Sequence, residues 1–413
     1  MALDTASERV PLAVRVAPHI AAVSVGYVLF AYAAVPSLFL ARFDVGYAAL
    51  GLVMSAPLVS IVLVQLPSGY LTDRYPPIPL LFVATGIHAA SAVLLDLTHQ
   101  FETLLLLRGI WGLAAGAILT VGATHLSRIY QGAVATRQQG YFGGALTLGG
   151  ALAFFIAPSL VQMIGTLSLQ STGVLLSLPA LGIFAVYGRS RAFPPFHLSL
   201  FSKNGTGSEA LRTERHRASK LRQLLRVVTH PVVIVASLAY VASLSSYITL
   251  STFITSYFNQ LGIHGPLNVL ALLTATVGRA SGGTVITRLP ISDRSLIGVM
   301  AVIATIGFAA LPVAHSPPLI VLLPLVSVLA VSLPFGSIYR IAADVPGSEG
   351  TALAMVIATG NVAALVLPVL TGALRDVTGE YGSGFLLLAV LNTVAFAGIS
   401  MLRWRSTTYD VPH

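Results

Sequence analysis

Cysteine is absent from the 413 residues, which excludes disulfides, thiolate metal sites and cysteine nucleophiles. Charge is scarce as well: Asp, Glu, Lys and Arg make up 9% of the chain, against roughly a quarter in a soluble globular domain. A protein facing water must cover itself with polar side chains, and only residues 188–230 are polar enough to supply such a surface. The length would hold two or more soluble domains, yet the composition rules them out. A cleavable signal peptide is not expected either. Asp4, Glu8, Arg9 and Arg15 interrupt the first positions, and the apolar run that follows continues to Leu40. A membrane hydrolase would need a nucleophile with a base, or a metal cluster. No histidine–carboxylate set falls within the apolar segments, so neither enzyme activity nor a cofactor is expected.

Apolar residues fill the space that charge leaves: 55% are hydrophobic and the mean hydropathy is +0.85. Twelve apolar segments can be placed, at 14–38, 47–70, 78–96, 103–125, 139–163, 169–188, 232–257, 267–288, 295–314, 317–339, 351–373 and 383–402. Each approaches the length needed to cross ~30 Å of hydrocarbon. The expected fold is therefore an all-α membrane protein with twelve transmembrane helices. Pro57, Pro158, Pro324 and Pro368 fall inside spans; membrane bundles accept such residues where a neighbour satisfies the freed carbonyl.

Basic residues test this layout. With the amino terminus inside, 19 of the 23 Lys and Arg fall on the inner side; Arg42 and Arg375 lie outside, and Arg108 and Arg279 lie within spans. That bias follows the positive-inside rule with both termini cytoplasmic, in the cell (plasma) membrane. The net charge of +9 therefore requires no nucleic-acid partner. Residues 189–230 form a basic linker dividing the spans six and six: a first bundle over 1–188 and a second over 231–413. The run from Arg212 to Arg226 suits an amphipathic helix against anionic headgroups.

The halves repeat one another weakly. In an ungapped comparison of the second and eighth spans, Gly69 matches Gly283 and Arg74 matches Arg288; Gly150 with Pro158 is matched by Gly360 with Pro368, eight apart in each case. Such repeats are common in transporters built from two similar halves. The segment Gly69-Tyr70-Leu71-Thr72-Asp73-Arg74 resembles the signature between spans two and three of the major facilitator superfamily. Arg108-Gly109 with Gly112 and Gly116, and the glycine-rich stretch Gly140 to Pro158, are similar to its span-four and span-five motifs. The resemblance implies two six-helix bundles moving a solute by alternating access, with Gly69, Asp73 and Arg74 as gating residues. The family's usual continuation is replaced here by Tyr75-Pro76-Pro77.

All 14 acidic residues lie in tails, loops or span ends. Arg279, nine residues from Arg288 and so about 13 Å along the helix, lies near the bilayer midplane. A charge at that depth usually has an internal partner or lines a pathway. An anionic substrate is the economical partner, because a guanidinium suits planar oxyanions. Snorkelling, or pairing with Asp73 or Glu349, is the alternative. The guanidinium is expected in a central cavity near Tyr27, Tyr32 or Asn361. Arg108 has two readings, a substrate contact or a residue bonded to backbone carbonyls. His88 likewise is either a proton relay or a hydrogen-bonded packing residue.

Within the superfamily, Gly278-Arg279-Ala280-Ser281-Gly282-Gly283 and Thr359-Gly360-Asn361 are similar to segments of the nitrate/nitrite porters. The resemblance implies Arg279, Asn361 and Arg108 as substrate-binding residues, with Gln65 where those porters carry a second arginine. The expected partners are a small-molecule solute, the lipid bilayer and protons as a candidate coupling ion. The expected activity is secondary transport of a nitrate- or nitrite-like or organic anion. The competing reading is a proton-coupled multidrug or metabolite exporter.

Overall fold

The computed structural model describes residues 10–130, 132–165, 169–188, 226–263, 265–289, 291–343 and 349–409. Among these, twelve helices are long and apolar enough to cross a membrane. The linker expected over 189–230, with nearly all of its basic run, falls outside the described residues, as does the side chain of Asp73.

The first span is shorter than its apolar run. Helix α1 (Leu12–Ala34) stops at Val35, ahead of Pro36, and α2 (Pro36–Phe43) follows as a separate piece. Proline lacks the amide that would continue the ladder and disfavours helical geometry just before it. Then come α3 (Tyr47–Arg74), α4 (Pro77–Leu97), α5 (Phe101–Ile129), α6 (Gly132–Ile164) and α7 (Ser171–Gly188). The second set comprises α8 (Pro231–Gln260), α9 (Leu267–Arg288), α10 (Asp293–Ala310), α11 (Pro317–Ser332), α12 (Phe335–Ala343), α13 (Glu349–Thr378) and α14 (Gly382–Tyr409). Helices α11 and α12 share one span, parted at Pro334 for the reason that parts α1 from α2.

Packing within each set follows one scheme. In the first, α1 packs on α6 and α7, α5 on α3 and α4, and α4 on α7. The second reproduces every pair: α8 on α13 and α14, α11 on α9 and α10, and α10 on α14. The result is the two-bundle architecture that the repeat implied. Lipid offers no hydrophobic drive between helices, so close approach depends on small residues. At the α1–α6 crossing a Cβ on Gly26 would overlap the Leu146 carbonyl, and one on Gly149 would overlap that of Val23.

Alternating helix directions gather the ends at two faces. Arg15, Arg74, Arg128, Arg288 and Arg340 lie at the basic face; Asp44, Asp96, Asp376 and Glu380 lie at the other, called here the acidic face. The bundles meet along α3–α13 and α6–α9, with α1 touching α8. Toward the acidic face this seam is closed: a Cβ on Gly51 would strike the Pro368 carbonyl, and one on Gly372 the Tyr47 carbonyl. It loosens toward the basic face. A Cβ on Gly140 would sit 3.8 Å from the Arg279 carbonyl, and one on Gly69 would meet nothing within 4 Å. Among the described residues the seam is thus tightest at the acidic face.

Candidate functional site

Arg279 sits on α9 beside the seam, in a turn flanked by Gly278 and Gly282. Those glycines let the end of α11 come close, with Ser332 2.9 Å from a Cβ on Gly278 and the Leu333 carbonyl against Gly282. The break at Pro334 then turns Phe335 toward the arginine. The guanidinium carbon lies 4.5 Å from the Phe335 ring centre and 4.4 Å from that of Tyr247 on α8. Each ring contact is worth about 0.5–2 kcal/mol, depending on desolvation. The Nε is buried without a hydrogen-bond partner, and no carboxylate of a described residue pairs with the guanidinium.

A second layer of aromatic rings holds this cage. Tyr240 and Tyr339 share a hydrogen bond of 3.0 Å, and both rings contact Phe335, with centres 5.4 and 4.9 Å away. Gly360 on α13 leaves room for the Tyr240 ring. Asn361 follows it, buried, donating 2.9 Å to the Ile357 carbonyl one turn back. Gly360 and Arg279 are therefore brought to one aromatic cluster, whereas the Asn361 amide bonds within its own helix. The rings nearest the arginine are Tyr247 and Phe335, in place of Tyr27 or Tyr32. Both of those tyrosines are buried in the first bundle, where Tyr32 flanks Arg108. Their helix faces its own bundle at these positions, a matter of rotation that the sequence does not encode in any obvious pattern. Tyr247 also touches Phe30 of α1, with ring centres 5.8 Å apart, which puts the cage at the meeting of the halves.

Arg108 stands elsewhere, fully buried inside the first bundle. Its Nε donates to the Val53 carbonyl, one Nη to that of Val28 and the other to that of Leu29, each at 3.0 Å. Trp111 and Tyr32 flank it at 5.0 and 5.6 Å. Val53 is four residues before Pro57, so the proline withholds the amide that would normally bond this carbonyl. Arg108 supplies the missing donor. Its donors are engaged within one bundle, and the geometry is that of a three-point clamp across α1, α3 and α5.

His88 belongs to the same core. The Trp111 indole donates 2.9 Å to Nδ1, and Nε2 lies 2.8 Å from the Ser24 hydroxyl. An indole N–H can only donate, which assigns the imidazole hydrogen to Nε2. Ser24 then donates to the Gly173 carbonyl at 2.6 Å. The chain of bonds ties α5, α4, α1 and α7 together and has no open end. Protonating Nδ1 would set two donors against each other. Replacing Trp111 with phenylalanine is expected to cost about 1–3 kcal/mol, since Nδ1 is left unpaired in the core. The fall should show in the unfolding midpoint, with the pH profile of transport unchanged; a shifted profile at full stability would instead mark His88 as a relay.

At the basic face Gly69 lies in open space and Arg74 stacks on Tyr70, 4.3 Å from its ring centre. Asp73, the third expected gating residue, carries a side chain outside the described residues. Gln65 is half-buried on α3, nine residues before Arg74, just as Arg279 precedes Arg288 by nine.

Comparison with known proteins adds four findings. A family model described as Major Facilitator Superfamily matches residues 19–356. Among solved structures, a bacterial homolog of the human lysosomal transporter Spinster, inward-facing and unoccupied, is 16% identical, with 96% of each chain covered and a TM-score of 0.68. Its inward-facing, occupied form is 15% identical over 94% of this chain and 96% of that one, with a TM-score of 0.67. At these identities the likeness is one of fold. No curated protein sequence matches the chain.

Proposed function

The chain belongs to the Major Facilitator Superfamily, a family of transporters and not of enzymes, and from that premise we propose that this secondary transporter carries a small anion bound at Arg279. Nitrate-like oxyanions and small organic carboxylates share the required chemistry, a planar group matched to two guanidinium donors. The observation carrying the reading is a guanidinium held between two aromatic rings, its Nε buried and unpartnered and no described carboxylate beside it. A fixed cation without a fixed counter-ion lowers its cost by recruiting a mobile one. Asn361, next to the Gly360 that packs on Tyr240, and Gln65, at the matching sequence position of the other half, are proposed to complete the solute's polar contacts. Arg108 is left out, because its donors are already engaged.

The basic face is proposed to be cytoplasmic, by the positive-inside rule, so that the tightly closed end of the seam faces outward. Gly69, Asp73 and Arg74 would then line the inner gate, with both termini inside. The test is uptake into liposomes holding the purified protein, with labelled nitrate, nitrite and short carboxylates set against apolar cations, with and without a pH gradient. Saturable anion uptake is expected. Movement of cationic drugs under a pH gradient, without anion uptake, would replace the proposal with the exporter reading.

A further inference from the structure

The closed seam contains a contact with a role of its own. Helix α3 begins with Gly46 at its N-cap position, and no side chain of its own caps it. The first amides of a helix have no partner within the helix, and here the missing acceptor comes from the other bundle. The Asp376 carboxylate, near the end of α13, accepts from the Tyr47 and Ala48 amides at 2.9 Å each. Glycine at 46 makes this fit, since a Cβ there would sit 2.7 Å from an Asp376 carboxylate oxygen. Beside it, the Arg375 guanidinium carbon lies 5.1 Å from the Tyr47 ring centre. A negative charge at a helix N-terminus is stabilising, so the first bundle offers a weak positive pole and the second a matching anion.

We propose that Asp376 is the latch of the acidic-face gate: it caps α3 in trans while the gate is shut and must release that helix end for the gate to open. The device is independent of which solute is carried. Two hydrogen bonds to a helix terminus, exposed to water, correspond to roughly a two- to tenfold bias toward the shut form.

The absence of cysteine makes the test direct. Ser55 is fully buried on α3, one turn below Gly51, and S55C places one thiol beneath the shut gate. In detergent-purified protein its maleimide labelling rate reports opening, whichever way the molecule sits in a membrane. D376A is expected to raise that rate about two- to tenfold. The same substitution should lower the labelling of a separate G69C reporter, whose Cβ would meet nothing within 4 Å at the basic face, as the population shifts. Adding G46S to D376A restores a cap within α3 without rejoining the bundles, so S55C labelling should stay high. A return to the parent rate in G46S/D376A would reduce Asp376 to a helix cap and overturn the latch. An unchanged rate in D376A, or a rise at both reporters together, would overturn it as well.

Discussion

Arg279→Leu is expected to lower anion uptake at least about 100-fold, because two charge-assisted hydrogen bonds to the solute disappear together. Folding should survive. The half-buried guanidinium with its unpartnered Nε is costly and its two ring contacts are favourable, and removing both leaves opposing terms of similar size. Arg279→Lys separates charge from shape. It keeps the cation but loses the planar fork and its stacking on Tyr247 and Phe335, so affinity should fall about tenfold while some uptake remains. Initial rates across a range of anion concentrations, in liposomes with matched protein content, read both effects. Undiminished anion uptake by the leucine variant would defeat the proposed site.

Arg108→Ala is expected to act on the fold instead. Three carbonyls lose a bond; Val28 and Leu29 keep the helix amides of Tyr32 and Ala33, but Val53 has no alternative because Pro57 occupies the position whose amide it would use. The void beside Trp111 and Tyr32 adds to the loss, and the sum is about 3–5 kcal/mol. Arg108→Lys should recover only part of it, since one ammonium cannot reach three carbonyls in three directions. The unfolding midpoint of the purified protein measures the cost, and uptake per folded molecule should be near that of the parent. An alanine variant that melts normally yet takes up no anion would restore Arg108 to the solute path. The two intramembrane arginines thus separate by mechanism, one satisfied by backbone and one left for a mobile partner.

Much of the fold was legible because its cause is local and repetitive. Twenty-residue apolar runs, sparse charge and the one-sided placement of basic residues follow from lipid as solvent. The sequence therefore determined the class of protein, the number of spans and the pairing of its halves, the last through Gly69 with Gly283 and Gly150 with Gly360. It also singled out Arg279 and Arg108 by depth alone, and left open for each whether it meets solute or protein. The gap is physical. Depth depends on position along the chain, whereas a partner depends on helix rotation and on which neighbour packs alongside. Tyr247 and Phe335 read as ordinary apolar-span aromatics until the α11–α12 break and the glycines of α9 brought them around Arg279. Pro57 and Arg108 are 51 residues apart, and only helix packing sets a guanidinium on the carbonyl that the proline leaves bare. Asp376 is more distant still from the helix end it caps, and no pattern within either segment links them. Tertiary structure alone decided these partnerships, because a helix presents its side chains in every direction and only packing chooses among them.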